Sequence, residues 1–123
     1  MFSNLNNVGS VEVNAFQVQA AVCIQKSIRE GFGLTVSEAL WKSRPTIGGR
    51  VGGIVAQITD GETGYLVDSA EECAQRTLDI LADPGATRDM TRRAKEHVRR
   101  RFLMPRLLRD WLRIITELEG RSP

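Results

Sequence analysis

Cysteine and histidine are scarce in this 123-residue chain: there are two cysteines, Cys23 and Cys73, and one histidine, His97. The thiols lie far apart with no CxxC spacing, so neither a disulfide framework nor a zinc site is suggested, and they read as two buried thiols in a reducing cytoplasm. No window is long and apolar enough to cross a bilayer, and the opening MFSNLNNVGS lacks the basic-then-apolar order of a secretory signal. A cytoplasmic protein that neither enters nor binds a membrane is expected. Aromatic residues make up only 6% of the chain. The GxxxxGK[ST] phosphate loop is absent, and although Gly31 and Gly33 make a GxG, Val36 stands where a dinucleotide fingerprint needs its third glycine. His97 has no acid or nucleophile beside it in sequence and reads as a surface residue.

With 41% hydrophobic and 26% charged residues the chain has enough apolar content to fold around one modest core. Its formal charge of +2 hides an asymmetry. Between Arg88 and Arg113 there are ten basic and three acidic residues, whereas the remainder carries seven basic and twelve acidic. That basic run lacks the interleaved aromatics that stack single-stranded bases and any groove-reading motif. A solvated helix face accounts for it better than a nucleic-acid site does.

Three short apolar segments, Ala21–Gln25, Pro45–Gly48 and Gly64–Val67, are separated by helical patterns over Val11–Ala20, Thr35–Lys42 and Gly53–Ile58. Strands alternating with helices indicate βαβ units and a parallel sheet. Val36, Ala39 and Leu40 share the helix face expected to cover it. Beyond Val67 the pattern is helical: one helix capped by Asp68 or Ser69 and running to about Ala82, with Cys73, Ala74, Leu78 and Leu81 inward, then another to about Phe102. A last helix begins near Pro105, with Leu107, Leu108, Trp111, Leu112, Ile115 and Leu118 at helical spacing. The expected fold class is therefore α/β: a partial Rossmann-like domain with a short parallel sheet over about 1–67 and a helical segment over about 68–123.

The stretch with chemical content is Glu30-Gly31-Phe32-Gly33-Leu34-Thr35-Val36-Ser37-Glu38, between the first strand and the following helix. Ligands of doubly wound sheets bind at the carboxyl ends of strands, where loops enter helix N-termini. Two glycines let backbone approach a ligand, and the unpaired N–H groups of the first helical turn, backed by the helix dipole, suit a phosphate. A carboxylate stands on each side, and carboxylates accept hydrogen bonds in the pairs that vicinal sugar hydroxyls offer. Phosphate between two polyol-binding groups describes a nucleotide sugar. The same residues also have an ordinary explanation, with Glu38 pairing with Lys42 at i+4 and Glu30 capping the loop. Taken alone, they leave both readings open.

Glu30 to Glu38 resembles the Glu-x7-Glu motif of retaining glycosyltransferases of the two-Rossmann-domain (GT-B) architecture, family 4 type. Gln25-Lys26-Ser27-Ile28-Arg29, Ser37-Glu38-Ala39-Leu40-Trp41-Lys42, Val51-Gly52-Gly53-Ile54 and Asp60-Gly61-Glu62-Thr63-Gly64-Tyr65-Leu66-Val67 resemble that family's later blocks in order and spacing. Asn7–Gln17, QKSIREGFGL and Phe102–Asp110 are most similar to the trehalose-forming synthases within it. The resemblance implies that Glu30 meets donor-sugar hydroxyls at the catalytic centre and that Glu38 hydrogen-bonds the ribose. It also implies that backbone amides around Gly31, Phe32, Gly33 and Leu34 hold the diphosphate, with Leu5–Val8 bordering the base. The implied donor is a nucleoside-diphosphate glucose, the implied acceptor glucose, and no metal or other cofactor is required. Related possibilities are a phosphorylase of the same architecture and an α/β binding or assembly module that kept the fold without the activity.

Against that family the chain reads as a C-terminal piece: the acceptor domain and the upstream Arg and Lys that neutralise the diphosphate have no counterpart here. The strands resemble the last three of a doubly wound six-stranded sheet, with Met1–Leu5 a remnant of an earlier one. Ala21–Gln25, normally central, then becomes an apolar edge. A second copy of the chain, or the missing N-terminal portion, is expected to cover that edge, and the chain alone is expected to be inactive.

Overall fold

A computed structural model describes residues 8–120. The strand remnant expected over Met1–Leu5 and the base-bordering residues expected over Leu5–Asn7 lie outside the described residues. Nine elements follow in order: α1 (Val8–Gln19), β1 (Cys23–Gln25), α2 (Leu34–Trp41), β2 (Thr46–Gly49), α3 (Ile54–Gln57), β3 (Tyr65–Val67), α4 (Ala70–Ala82), α5 (Pro84–Arg101) and α6 (Met104–Glu119). The three strands form one sheet in the order β1-β2-β3, every pair parallel.

The register explains the two halves of the core. Gly48 pairs with Leu66 on one face of the sheet, while Ile47 with Tyr65 and Gly49 with Val67 lie on the other. On the Leu66 face, Val36 and Leu40 of α2, Ile54 and Ile58 at α3, and Ala94 and Val98 of α5 pack together. On the opposite face Ile47 and Val67 meet Ile80 of α4 and Met90 of α5. Helix α5 thus contributes to both layers, and all four residues of β2 are buried, as a central parallel strand requires.

Local signals set the helix ends. Ser69 Oγ accepts from Glu72 N at 3.0 Å while the Glu72 carboxylate accepts from Asp68 N at 2.9 Å, a reciprocal arrangement of the capping-box type. Asp83 Oδ1 accepts from the amides of Gly85 and Ala86, at 3.0 and 2.9 Å, and Pro84 sits in the first turn of α5. Each such cap stabilises its helix by about 1 kcal/mol.

Two expectations about burial need correction. On α4 the inward stripe is Cys73, Thr77 and Ile80, whereas Ala74, Leu78 and Leu81 are exposed. The two sets have the same i, i+4, i+7 spacing, and the contact of Ile80 with Ile47, Val67 and Met90 selects the phase. Both cysteines are free but only half-buried, the Cys23 thiol being pushed up by that burial against the pull of Arg44 and Lys42. The amphipathic helix over Pro105–Leu118 forms, yet α6 buries none of its residues among those described, and Trp111 is 59% exposed. Strand β1 does lie at the sheet edge, with Ile24 half exposed.

Arg50, directly after β2, ties the segment that follows to β3. Its guanidinium donates to Asp60 Oδ2 at 3.0 Å, to Asp68 Oδ2 at 3.1 Å and to the Leu66 carbonyl at 3.2 Å, while Asp60 Oδ1 accepts from Leu66 N at 3.0 Å. Burial pushes the Asp60 carboxyl upward, but the Leu66 amide and the Arg50 guanidinium outweigh it and hold the group below its ordinary 3.8. A depressed carboxyl contributes stability that is complete above its unfolded value and disappears as pH falls through the folded one. Asp60→Asn should therefore lower the urea midpoint at pH 7, with the difference from the parent chain closing below pH 3.8.

Candidate functional site

The segment from Lys26 to Gly33 joins the carboxyl end of β1 to the N-terminus of α2, which is where sheets of this class present their ligand loops. Gly33 is the N-cap of α2 and lies in the left-handed region, φ 79° and ψ 60°, with no side-chain cap on the helix. A residue with a Cβ is disfavoured in that conformation. Val36 N returns to the Gly33 carbonyl at 2.9 Å, and the first-turn amides before it, at Leu34 and Thr35, are available to an anion. Leu34 and Phe32 are exposed beside them, the Phe32 ring lying 5.8 Å from that of Phe102.

Glu30 is half-buried and folded back on its own loop. Its Oε1 accepts from Gly31 N at 3.1 Å, and its Oε2 accepts from Gln25 Nε2 and Ser27 Oγ, each at 3.3 Å. The Gly31 amide is thus engaged by Glu30. A carboxylate has about four acceptor positions, so Glu30 retains capacity for a further hydroxyl donor. A Cβ built on Gly33 would lie 3.2 Å from Glu30 Cγ, which places the glycine against the acid's stem.

Glu38 stands one turn into α2 and is exposed. Its Oε2 accepts from Nε2 of the buried Gln17 at 3.2 Å, and Gln17 Oε1 in turn accepts from Lys42 Nζ. The pairing of Glu38 with Lys42 therefore runs through Gln17 and ties α2 to α1. Among the described residues no group of three His, Cys, Asp or Glu side chains is placed to hold a metal ion, and no helix is long and apolar enough to cross a membrane.

The family described as "Glycosyl transferases group 1" matches residues 3–97, a stretch that contains this loop and all three strands. The chain belongs to the group 1 glycosyl transferases. The trehalose synthase of Rubrobacter xylanophilus is 61% identical over 120 residues, 98% of this chain and 29% of the relative. The trehalose phosphorylase of Grifola frondosa is 39% identical over 88 residues, 70% of this chain and 12% of the relative. Among solved structures, HepE from Anabaena in complex with UDP-glucose superposes with a TM-score of 0.77 at 17% identity, over 86% of this chain and 30% of that one. That likeness concerns the fold, which is the GT-B type. This glycosyl transferase chain spans under a third of the length of the synthase it resembles.

What holds the transferase loop in place was only partly legible. Gly52 and Gly53, read from the sequence as a tight turn into α3, press directly on the Glu30–Phe32 backbone, and Gly53 N donates to the Gly31 carbonyl at 2.6 Å. The residue missed altogether is Gln57. It is fully buried, and its Nε2 donates to the Phe32 carbonyl, with longer contacts of 3.4 Å to the carbonyls of Gly33 and Gly53. The available signal was a single amide at the end of an otherwise apolar Ile54-Val55-Ala56 turn. Gln57→Leu keeps the volume and removes the donor, leaving two loop carbonyls without it. The expected loss is about 1–3 kcal/mol of unfolding free energy, read by urea denaturation.

Proposed function

We propose that this chain is the donor-binding part of a retaining hexosyltransferase, a single partial nucleotide-sugar domain with its α/β part to about residue 67 and its helical part after it. The observation that carries the reading is the loop itself. Glu30 and Glu38 flank a glycine-shaped turn whose helix N-terminus offers free amides, on a fold shared with a structure holding UDP-glucose. Leu34 and neighbouring backbone amides, with Phe32 and Gly33, take the diphosphate. Glu38 takes the ribose, and Glu30 takes the sugar hydroxyls. The acceptor hydroxyl then forms its bond to the anomeric carbon on the face from which the nucleoside diphosphate departs. Configuration is kept, and the hydroxyl proton leaves with the departing phosphate. Neither glutamate acts as a nucleophile; positioning and preorganised charge supply the catalysis, and no metal or other cofactor takes part.

Glucose as donor sugar and glucose as acceptor, giving trehalose, fit the 61% identity to a trehalose synthase. The test is transfer of label from nucleoside-diphosphate glucose to glucose. This chain alone should bind the nucleotide and give no product, because acceptor contacts lie outside it; binding absent as well would leave only an α/β assembly module. The similarity to a trehalose phosphorylase favours one second reading. A phosphorylase would form product from trehalose only when phosphate is added, which separates the two.

The exposed β1 edge and its half-exposed Ile24 are covered, in this reading, by the remainder of the enzyme or by a second copy. Neither nucleic acid nor membrane is a partner. Sedimentation should accordingly show concentration-dependent self-association of the chain alone, and a stable monomer at high concentration would contradict this.

A further inference from the structure

The donor loop leaves a second constellation unused. Between α5 and the turn over residues 59–63 lies a cavity of about 510 Å³, walled by Arg92, Arg93, Arg100, Arg101 and His97 among others. A volume in the range of small-ligand sites exceeds what a lone inorganic anion fills. Two acids also line it, and one of them is already committed. Glu96 is gripped by Arg99 and Arg100 at 2.7 and 2.5 Å, which hold its carboxyl down at about 2. Glu62 presents its backbone carbonyl to Arg93 Nε at 3.0 Å. Arg92 pairs with Asp89 at 3.2 Å. Arg93 and Arg101 have no carboxylate partner among the described residues. His97 adds a third open valence: its Nε2 is buried with no hydrogen-bond partner.

Guanidinium groups without acid partners are suited to phosphate, whose oxygens match the planar N–H fork two at a time. One wall of the cavity also leads to the donor loop. The His97 ring lies 5.7 Å from that of Phe102, and Phe102 lies 5.8 Å from Phe32 within the loop. We propose that this cavity binds a small phosphate-bearing anion, held by Arg93, Arg101 and His97, and that its occupancy is transmitted to the donor loop through the His97, Phe102 and Phe32 rings. Binding stands independently of the nucleotide-sugar reading; the transmission rests on that reading.

His97 is the sole histidine, so its imidazole C–H resonances are identified without assignment. Burial, and secondarily Arg101, pulls its pKa below 6.5, and an anion beside it should raise that value. The groups bearing on it are Arg92, Arg93, Arg100 and Arg101 with Glu62 and Glu96, all of which line the cavity. The experiment titrates the full chain, already saturated with UDP, with inorganic phosphate, a hexose monophosphate and the unphosphorylated hexose.

Both phosphates should shift the His97 resonances saturably and raise the pKa, the hexose monophosphate at lower concentration, and the free hexose should do neither. Arg93→Gln with Arg101→Gln should weaken the response at least tenfold, while Arg109→Gln on α6 leaves it intact. Both substituted side chains are exposed, and an unchanged thermal midpoint reports that the variant is folded. Movement of the Phe32 resonances in step with His97 supports the transmission, and a static Phe32 overturns it alone. An unmoved His97, a response indifferent to the double substitution, or a response only to a long polyanion overturns the site.

Discussion

Gly52→Ala is expected to destabilise the domain by about 3 kcal/mol and to remove nucleotide binding with it. A Cβ at this position would stand 1.9 Å from the Glu30 carbonyl oxygen and 2.9 Å from its carbonyl carbon. Both are backbone atoms, so no side chain can swing aside. The residue also has φ 49°, a region that costs a residue with a Cβ about 1–2 kcal/mol before any contact is counted. The chain can accept alanine here only by moving Glu30 or the Val51–Gly53 segment. Either movement breaks the hydrogen bond from Gly53 N to Gly31 O and displaces the Gln57 donor from the Phe32 carbonyl. Chemical denaturation measures the first effect and calorimetric titration with nucleoside diphosphate the second. Gly61→Ala is the control, since that glycine also has positive φ, 76°, but open space around a Cβ. It should lose stability without loss of binding.

Glu30→Gln is expected to act in the opposite way, sparing the fold and removing the chemistry. In an enzyme that includes the acceptor domain, transfer should fall by about 10²–10³-fold, the range seen when one preorganised polar group at a reacting centre is lost. The carboxylate accepts from Gly31 N, Gln25 Nε2 and Ser27 Oγ. An amide of the same shape can satisfy only some of those donors, because its nitrogen is itself a donor. The group therefore loses both its charge and part of its orientation. Nucleotide affinity should change less than turnover, since the proposed function assigns the other end of the donor to Glu38 and the α2 amides. Equal losses in affinity and turnover would place Glu30 in ground-state binding only.

The contrast between these two substitutions shows what was legible in the sequence and what was not. Strand and helix positions followed from periodicity and from the turn residues between them: β1 and β3 fall inside the predicted segments, and β2 extends one residue beyond its own, to Gly49. Glu30 and Glu38 were visible because carboxylates around a Gly-x-Gly turn make a local pattern. Gln57 and the pressure of Gly52 on Glu30 were not. Each acts across more than twenty residues of sequence, through contacts that exist only once α3 has docked on the loop. The inward face of α4 was misplaced for a similar reason: two equally spaced stripes compete, and only Ile47, Val67 and Met90 decide between them. His97 read as a surface residue because the sequence does not show Phe102 folding back on it. The apolar face of α6 was read correctly as helical, yet periodicity carries no information on what it packs against.

The central claim is that the Glu30–Glu38 loop binds a nucleotide sugar, and amide-resolved NMR titration with UDP-, ADP- and GDP-glucose tests it most directly. At least one donor should produce saturable shifts centred on Gly31, Phe32, Gly33, Leu34 and Glu38, and Glu38→Ala should weaken that binding by about 10–100-fold, as loss of a charged hydrogen bond predicts. Saturation centred elsewhere on the chain, no saturation with any of the three, or an affinity indifferent to Glu38→Ala would contradict the account.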